Sequence, residues 1–197
     1  MKFFPIVLLL TALFGFGPLS FSQKDYTSSN PELETINQIR KLFYEAIESE
    51  EKLEELENFF SKNFTEKALV YHPVLLSYTG AIDALKAKHA INPFTKFSRV
   101  LSSLDILERA VNREPNNLEV RFIRFSILHN LPGFLGYGKE RTDDLMVIVS
   151  QLAKKDYAKY DPKLQKNVIE FMLDSERLNT SQTVQLKKLA VALVSNE

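Results

Sequence analysis

The placement of proline constrains this chain more than any other feature. Six of its eight prolines lie beyond residue 30, at positions 31, 73, 93, 115, 132 and 162. Each bounds or interrupts a stretch whose apolar residues recur at three-four spacing. A proline costs nothing at the first position of a helix, where its missing N–H has no partner to lose, and breaks a helix further in. The chain is therefore cut into helix-length pieces. Strand-like alternation is nowhere sustained, so the expected fold class is all-α.

Asn30-Pro31 and Asp161-Pro162 both read as a cap followed by proline at the first helical position. The first helix carries Ile36, Ile39, Leu42 or Phe43, Ala46 and Ile47 on one face. The second spans about 50–64, with Leu53, Leu56, Phe59, Phe60 and Phe64. The third begins near Thr65, kinks or restarts at Pro73, and ends near Asn92-Pro93, since a residue before proline avoids the α region. The fourth runs about 98–113 with Ser98 as cap, and the fifth about 117–130. The sixth is capped by Thr142, with Asp143 and Asp144 favoured by the dipole of its first turn. The seventh starts at Pro162 and the eighth near Asn179–Ser181, with a stripe of Leu186, Leu189, Ala190, Leu193 and Val194. Eight helices with short connections predict a stack of about four antiparallel hairpins in a single domain, residues 31–197. The fifth helix is apolar nearly all round, which predicts a place in the middle.

The start of the chain reads differently. Lys2, an apolar run from Phe3 to about Phe16, and Ser20 and Ser22 before Gln23 have the build of a secretory signal peptide over residues 1–22. Residues 23–30 are a polar lead-in. The apolar run is too short and interrupted to span a bilayer comfortably, so no stable span is expected after cleavage near Ser22. Beyond that point 24 basic residues face 25 acidic ones, since only Lys2 is lost. So balanced a chain has no field to gather nucleic acid. There is no cysteine, which excludes disulfides, thiolate metal sites and a cysteine nucleophile, and suits an oxidising compartment outside the cytoplasm.

Residues 103–115, SLDILERAVNREP, place Ser103, Leu107, Ala110 and Pro115 at spacings of four, three and five. This resembles the second helix of a tetratricopeptide repeat, with Gly80 as the close-packing residue of the first. The resemblance implies paired helices and a binding surface. It departs from the family in two ways. Gly80 and Ser103 are 23 residues apart, about eleven too many for a 34-residue repeat. The next repeat wants a small residue where Phe125 stands. The expectation is thus repeat-like but irregular. The segments YHPVLLSYTGAIDALKAKHAINPFTKFS and PNNLEVRFIRFSILHNLPGFLGY further resemble a group of exported helical proteins of Bacteroidota-type bacteria. That resemblance implies a compartment, periplasmic or extracellular, and a fold, without a mechanism.

Candidate chemistry is sparse. His72, His89 and His129 have no zinc-binding spacing, and no metal or cofactor is expected. Arg121 and Arg124 share a helix side. They form either an anion clamp or an internal ion pair, with Asp143 and Asp144 as acceptors. Lys86, Lys88, His89, Lys96 and Arg99 make a basic run with Phe94 and Phe97 inside it, a docking patch or a solvated helix end. The run ESEEKLEELE at 48–57 reads as a solvated acidic face. The loop LPGFLGYG follows a helix and has no P-loop lysine. Its Phe134, Leu135 and Tyr137 either fold back over the hairpin end or stay out as a sticky patch.

These readings converge on a non-catalytic scaffold that binds another envelope protein or peptide. The expected groove is lined by Tyr78, Arg121 and Arg124, with Phe134 and Tyr137 at its rim. The alternatives are a hydrolase with a histidine and carboxylates assembled across helices, and a carrier of a small apolar ligand.

Overall fold

The computed structural model describes residues 31–154 and 161–194. The expected signal peptide with its cleavage near Ser22, the expected polar lead-in and the expected Asn30 cap lie outside them. The described residues form α1 (Pro31–Ala46), α2 (Glu50–Asn63), α3 (Glu66–Tyr71), α4 (Pro73–His89), α5 (Pro93–Arg113), α6 (Leu118–Asn130), a 3-10 turn (Gly133–Leu135), α7 (Gly138–Ala153), α8 (Pro162–Asp174) and α9 (Thr180–Val194). No strand occurs among them, and the chain is all-α.

The helix starts follow from short polar side chains. Ser49 accepts from the Lys52 amide, Thr65 from Ala68, and Asn117 from both Glu119 and Val120. The predicted third helix restarts: α3 stops at Tyr71, His72 is extended, and Pro73 opens α4. Two predicted starts are displaced. The fourth begins at Pro93 instead of Ser98, because Asn92 Oδ1 already accepts from the amides of Phe94 and Thr95. The sixth begins at Gly138, and Thr142, inside it, donates its hydroxyl back to the Gly138 carbonyl.

The described helices gather in two compact units, divided between Asp105 and Ile106 within α5, where a single domain was expected. In the first unit α1 packs on α2, α3 on α4, and α2 on α4. Ile39, Ala46, Leu56 and Ala81 are fully buried there. In the second unit α6 packs on α7, α8 on α9, and α7 on α9. Its core joins Leu118, Phe125, Ile148, Val168, Met172 and Leu186. Each large apolar side chain so buried contributes on the order of 1.5–3 kcal/mol. The nearly all-round burial of α6 fits its sequence, with Leu118, Val120, Phe122, Ile123, Phe125, Ile127 and Leu128 all inside. Among the described residues no helix is long and apolar enough to cross a membrane.

Candidate functional site

The two arginines of α6 serve its packing on α7. Arg124 Nε and Nη2 donate to the two carboxylate oxygens of Asp144 at 2.8 and 2.7 Å. Arg121 Nη1 donates to the same carboxylate at 2.7 Å, and its Nε to the Pro115 carbonyl at 2.6 Å. Asp144 is fully buried and Arg124 nearly so. Of the two acids named from sequence, Asp144 is the acceptor, while Asp143 pairs with Lys139 on the exposed side of α7. Tyr78, in the first unit, is buried with its ring edge-on to Phe43 at 5.5 Å. The groove expected from Tyr78, Arg121 and Arg124 is therefore corrected. The tyrosine is in a core, and both guanidiniums are committed to a buried carboxylate.

The basic run also resolves mostly into internal partners. Lys86 pairs with Glu57, and Arg99 with Asp83 at 3.1 Å. Lys88 Nζ donates to the Ile47 carbonyl at 2.6 Å and to Glu48 at 2.7 Å. His89 Nε2 lies 3.1 Å from the Ala46 carbonyl. Lys88 and His89 thus satisfy carbonyls at the end of α1, which a helix leaves without partners. Lys96 takes no part in any of these pairs.

What sets this region apart is its apolar surface. Ile91 is 96% exposed and Phe94 85%, and Phe97 and Leu101 are also exposed. The last three, spaced three and four apart on α5, share one face. The opposite face of α5, with Val100, Leu104 and Leu107, is buried. A shallow apolar groove of about 530 Å3 lies elsewhere in the same unit, lined by Ile36, Phe64, Ala68, Tyr71 and Leu75 among others.

In the second unit, a cluster that sequence reasoning missed closes the end of α6. Arg177 Nε donates to His129 Nδ1 at 2.7 Å, and Arg177 Nη2 to the His129 carbonyl at 3.3 Å. Arg141 Nη1 reaches the Leu128 carbonyl at 3.4 Å. Ser175 ends α8 and Glu176 takes a left-handed conformation, φ 56°, immediately before Arg177. The His129 ring stacks on Phe125 at 6.1 Å and meets Phe171 edge-on at 5.7 Å. Because Nδ1 accepts, the ring is neutral and carries its proton on Nε2. Burial, then the charges of Arg177 and Arg141, hold the His129 pKa below its ordinary value. Burial, then Arg141, lowers Arg177 as well. No local signal marks this site, since Arg177 and His129 are 48 residues apart in the chain.

The glycine loop separates these elements. Phe134 is 76% exposed and Tyr137 half-buried, so the phenylalanine stays out instead of folding over the hairpin end. Gly136 is left-handed at φ 85°, the one conformation here that demands glycine.

Among the described residues no three histidine, cysteine, aspartate or glutamate side chains gather to hold a metal ion. No family model, curated protein or solved structure matches this chain.

Proposed function

We propose that this protein is an exported, non-catalytic scaffold that binds a segment of another envelope protein. In this reading its consecutive helix pairs form an irregular stack of hairpins, akin to tetratricopeptide repeats. The observation that carries the reading is the exposed face of Phe94, Phe97 and Leu101, with Ile91 exposed just before the helix. Apolar surface grouped in this way marks an interaction site more often than scattered single residues do. The occupant that fits is an amphipathic helix, its apolar anchors against Phe94, Phe97 and Leu101 and an acid opposite Lys96. His129 and His89 support a non-catalytic role, since they spend ring nitrogens on Arg177 and on a backbone carbonyl.

A photo-crosslinking side chain at position 97, in the exporting cell, tests this. The expected product is one discrete heterologous adduct, absent with the same group at Val191 on α9 and lost in Phe94→Ser. A product of twice the chain mass would instead show self-association. Flotation of the purified protein with vesicles, abolished by Phe94→Ser, would show a lipid surface. Either result overturns the reading, as does the absence of any adduct.

A second reading, a carrier of an apolar ligand, draws on the groove beside Phe64 and Leu75. Saturable enhancement of an environment-sensitive fatty-acid probe, lost in Ala68→Phe, is its expected signature.

A further inference from the structure

We propose that Arg141, Arg177 and His129, at the loop end of α6, bind a single oxyanion, and that its charge is that of a phosphate monoester. The site lies within the second unit and is independent of the α5 face.

In the same unit Arg121 and Arg124 are neutralised, sharing the carboxylate of Asp144. Arg141 and Arg177 hold the adjacent carbonyls of Leu128 and His129, both depress the His129 pKa, and neither forms an ion pair among the described residues. Glu140 adjoins Arg141 in the chain and pairs with neither arginine. Its Oε2 is buried without a hydrogen-bond partner. Both side chains reach solvent, Arg177 being exposed and Arg141 partly so, and an anion bridging them lowers their mutual repulsion.

The donors come next. The described hydrogen bonds use Nε and Nη2 of Arg177 and Nη1 of Arg141. A guanidinium carries five N–H donors in a rigid fork, so each retains donors for an oxyanion. Arg177 also fixes the proton of His129 on Nε2, which adds a neutral donor. The two backbone carbonyls these arginines hold orient them in advance, so little side-chain freedom is lost on binding. Gly138 contributes by what it lacks. A Cβ there would lie 4.0 Å from Arg141 Nη2, so the absent side chain leaves that edge of the guanidinium uncovered.

The class of anion follows from the count. Two uncompensated cations match a group carrying about −1.5 to −2 charge at pH 7, which is a phosphate monoester. A carboxylate carries half of that or little more.

The test uses the chain's three histidines, whose ring protons give three separable signals in a proton NMR spectrum. His129→Gln assigns the relevant one. Inorganic phosphate, titrated at constant ionic strength, is expected to shift the His129 signal saturably and to raise the pH at which it titrates. His72 and His89 should stay in place. Arg141→Met and Arg177→Met should each weaken the response at least tenfold, and Lys139→Met should leave it unchanged. Arg177→Lys keeps the charge and guards against a folding defect. In that variant, with an unaltered circular dichroism spectrum, binding should weaken without vanishing. Acetate is the second arm. Acetate as effective as phosphate would overturn the phosphate assignment and leave a carboxylate site. Equal drift of all three histidines, or equal loss in Lys139→Met, would overturn the site itself.

Discussion

Arg124 meets Asp144 through two parallel hydrogen bonds, Nε to Oδ2 at 2.8 Å and Nη2 to Oδ1 at 2.7 Å, and Arg121 shares the same carboxylate. A fork matched to a carboxylate fixes both distance and rotation between α6 and α7. Because Asp144 is wholly buried, the pair is all-or-none. Asp144→Ala leaves a buried guanidinium uncompensated and is expected to cost about 3–5 kcal/mol. Urea unfolding followed by circular dichroism measures it. Asp143→Ala, one residue away and solvated, should leave the midpoint unchanged. Combining Asp144→Ala with Arg124→Met should cost less than the two single changes added together. Strict additivity would mean that the pair does not act as a unit.

The glycine loop makes a sharper backbone prediction. Gly136 sits at φ 85°, with open space where a Cβ would go, so Gly136→Ala suffers only left-handed strain, about 1–2 kcal/mol. Gly133 has equally open surroundings without that backbone conformation, and Gly133→Ala should not lower the melting temperature. Equal behaviour of the two variants would contradict the assigned turn.

These two cases show what was legible in the sequence. The break at Pro73 and the buried circumference of α6 depend on residues a few positions apart, and sequence reasoning found them. The start of α5 was misjudged because two good caps, Asn92 and Ser98, stand six residues apart, and Asn92 is the one whose side chain meets free amides. Asp143 and Asp144 were named together as acceptors because they were read as opening the next helix; that helix begins at Gly138, and of the two only Asp144 meets the arginines. Tyr78 was misplaced as a groove residue, since periodicity alone does not distinguish a tyrosine facing a core from one facing solvent. Arg177 was invisible. Its meeting with His129 depends on a left-handed residue at Glu176 and on the packing of α8 beside α6, neither of which leaves a local trace.

Phe94 and Phe97 separate stability from binding. Both side chains are exposed, so serine at either position should change unfolding free energy by no more than about 0.5 kcal/mol. Leu107, on the opposite side of the same helix, is fully buried, and Leu107→Ala should cost about 2–5 kcal/mol. Thermal melts of the three variants check this contrast. A large loss in Phe94→Ser would mean that this face is packed in solution.

The most specific consequence concerns pH. His129 has a folded pKa below its ordinary value of 6.5, chiefly because of burial and then because of Arg177 and Arg141. The unfolded chain therefore takes up a proton at a pH where the folded chain still refuses it. Stability from this residue is complete above about pH 6.5. It falls as the pH drops through that value, and levels off only below the depressed folded pKa. His129→Phe removes the titration and keeps an aromatic ring against Phe125 and Phe171. The urea midpoint of the natural protein should decline between pH 7 and 5 more steeply than that of His129→Phe, the two curves running parallel above pH 7. Arg177→Gln removes one of the charges that disfavour the imidazolium and should move the decline to lower amplitude. Parallel curves across the whole range would show that His129 is not held neutral, and would contradict the acceptor role assigned to its Nδ1.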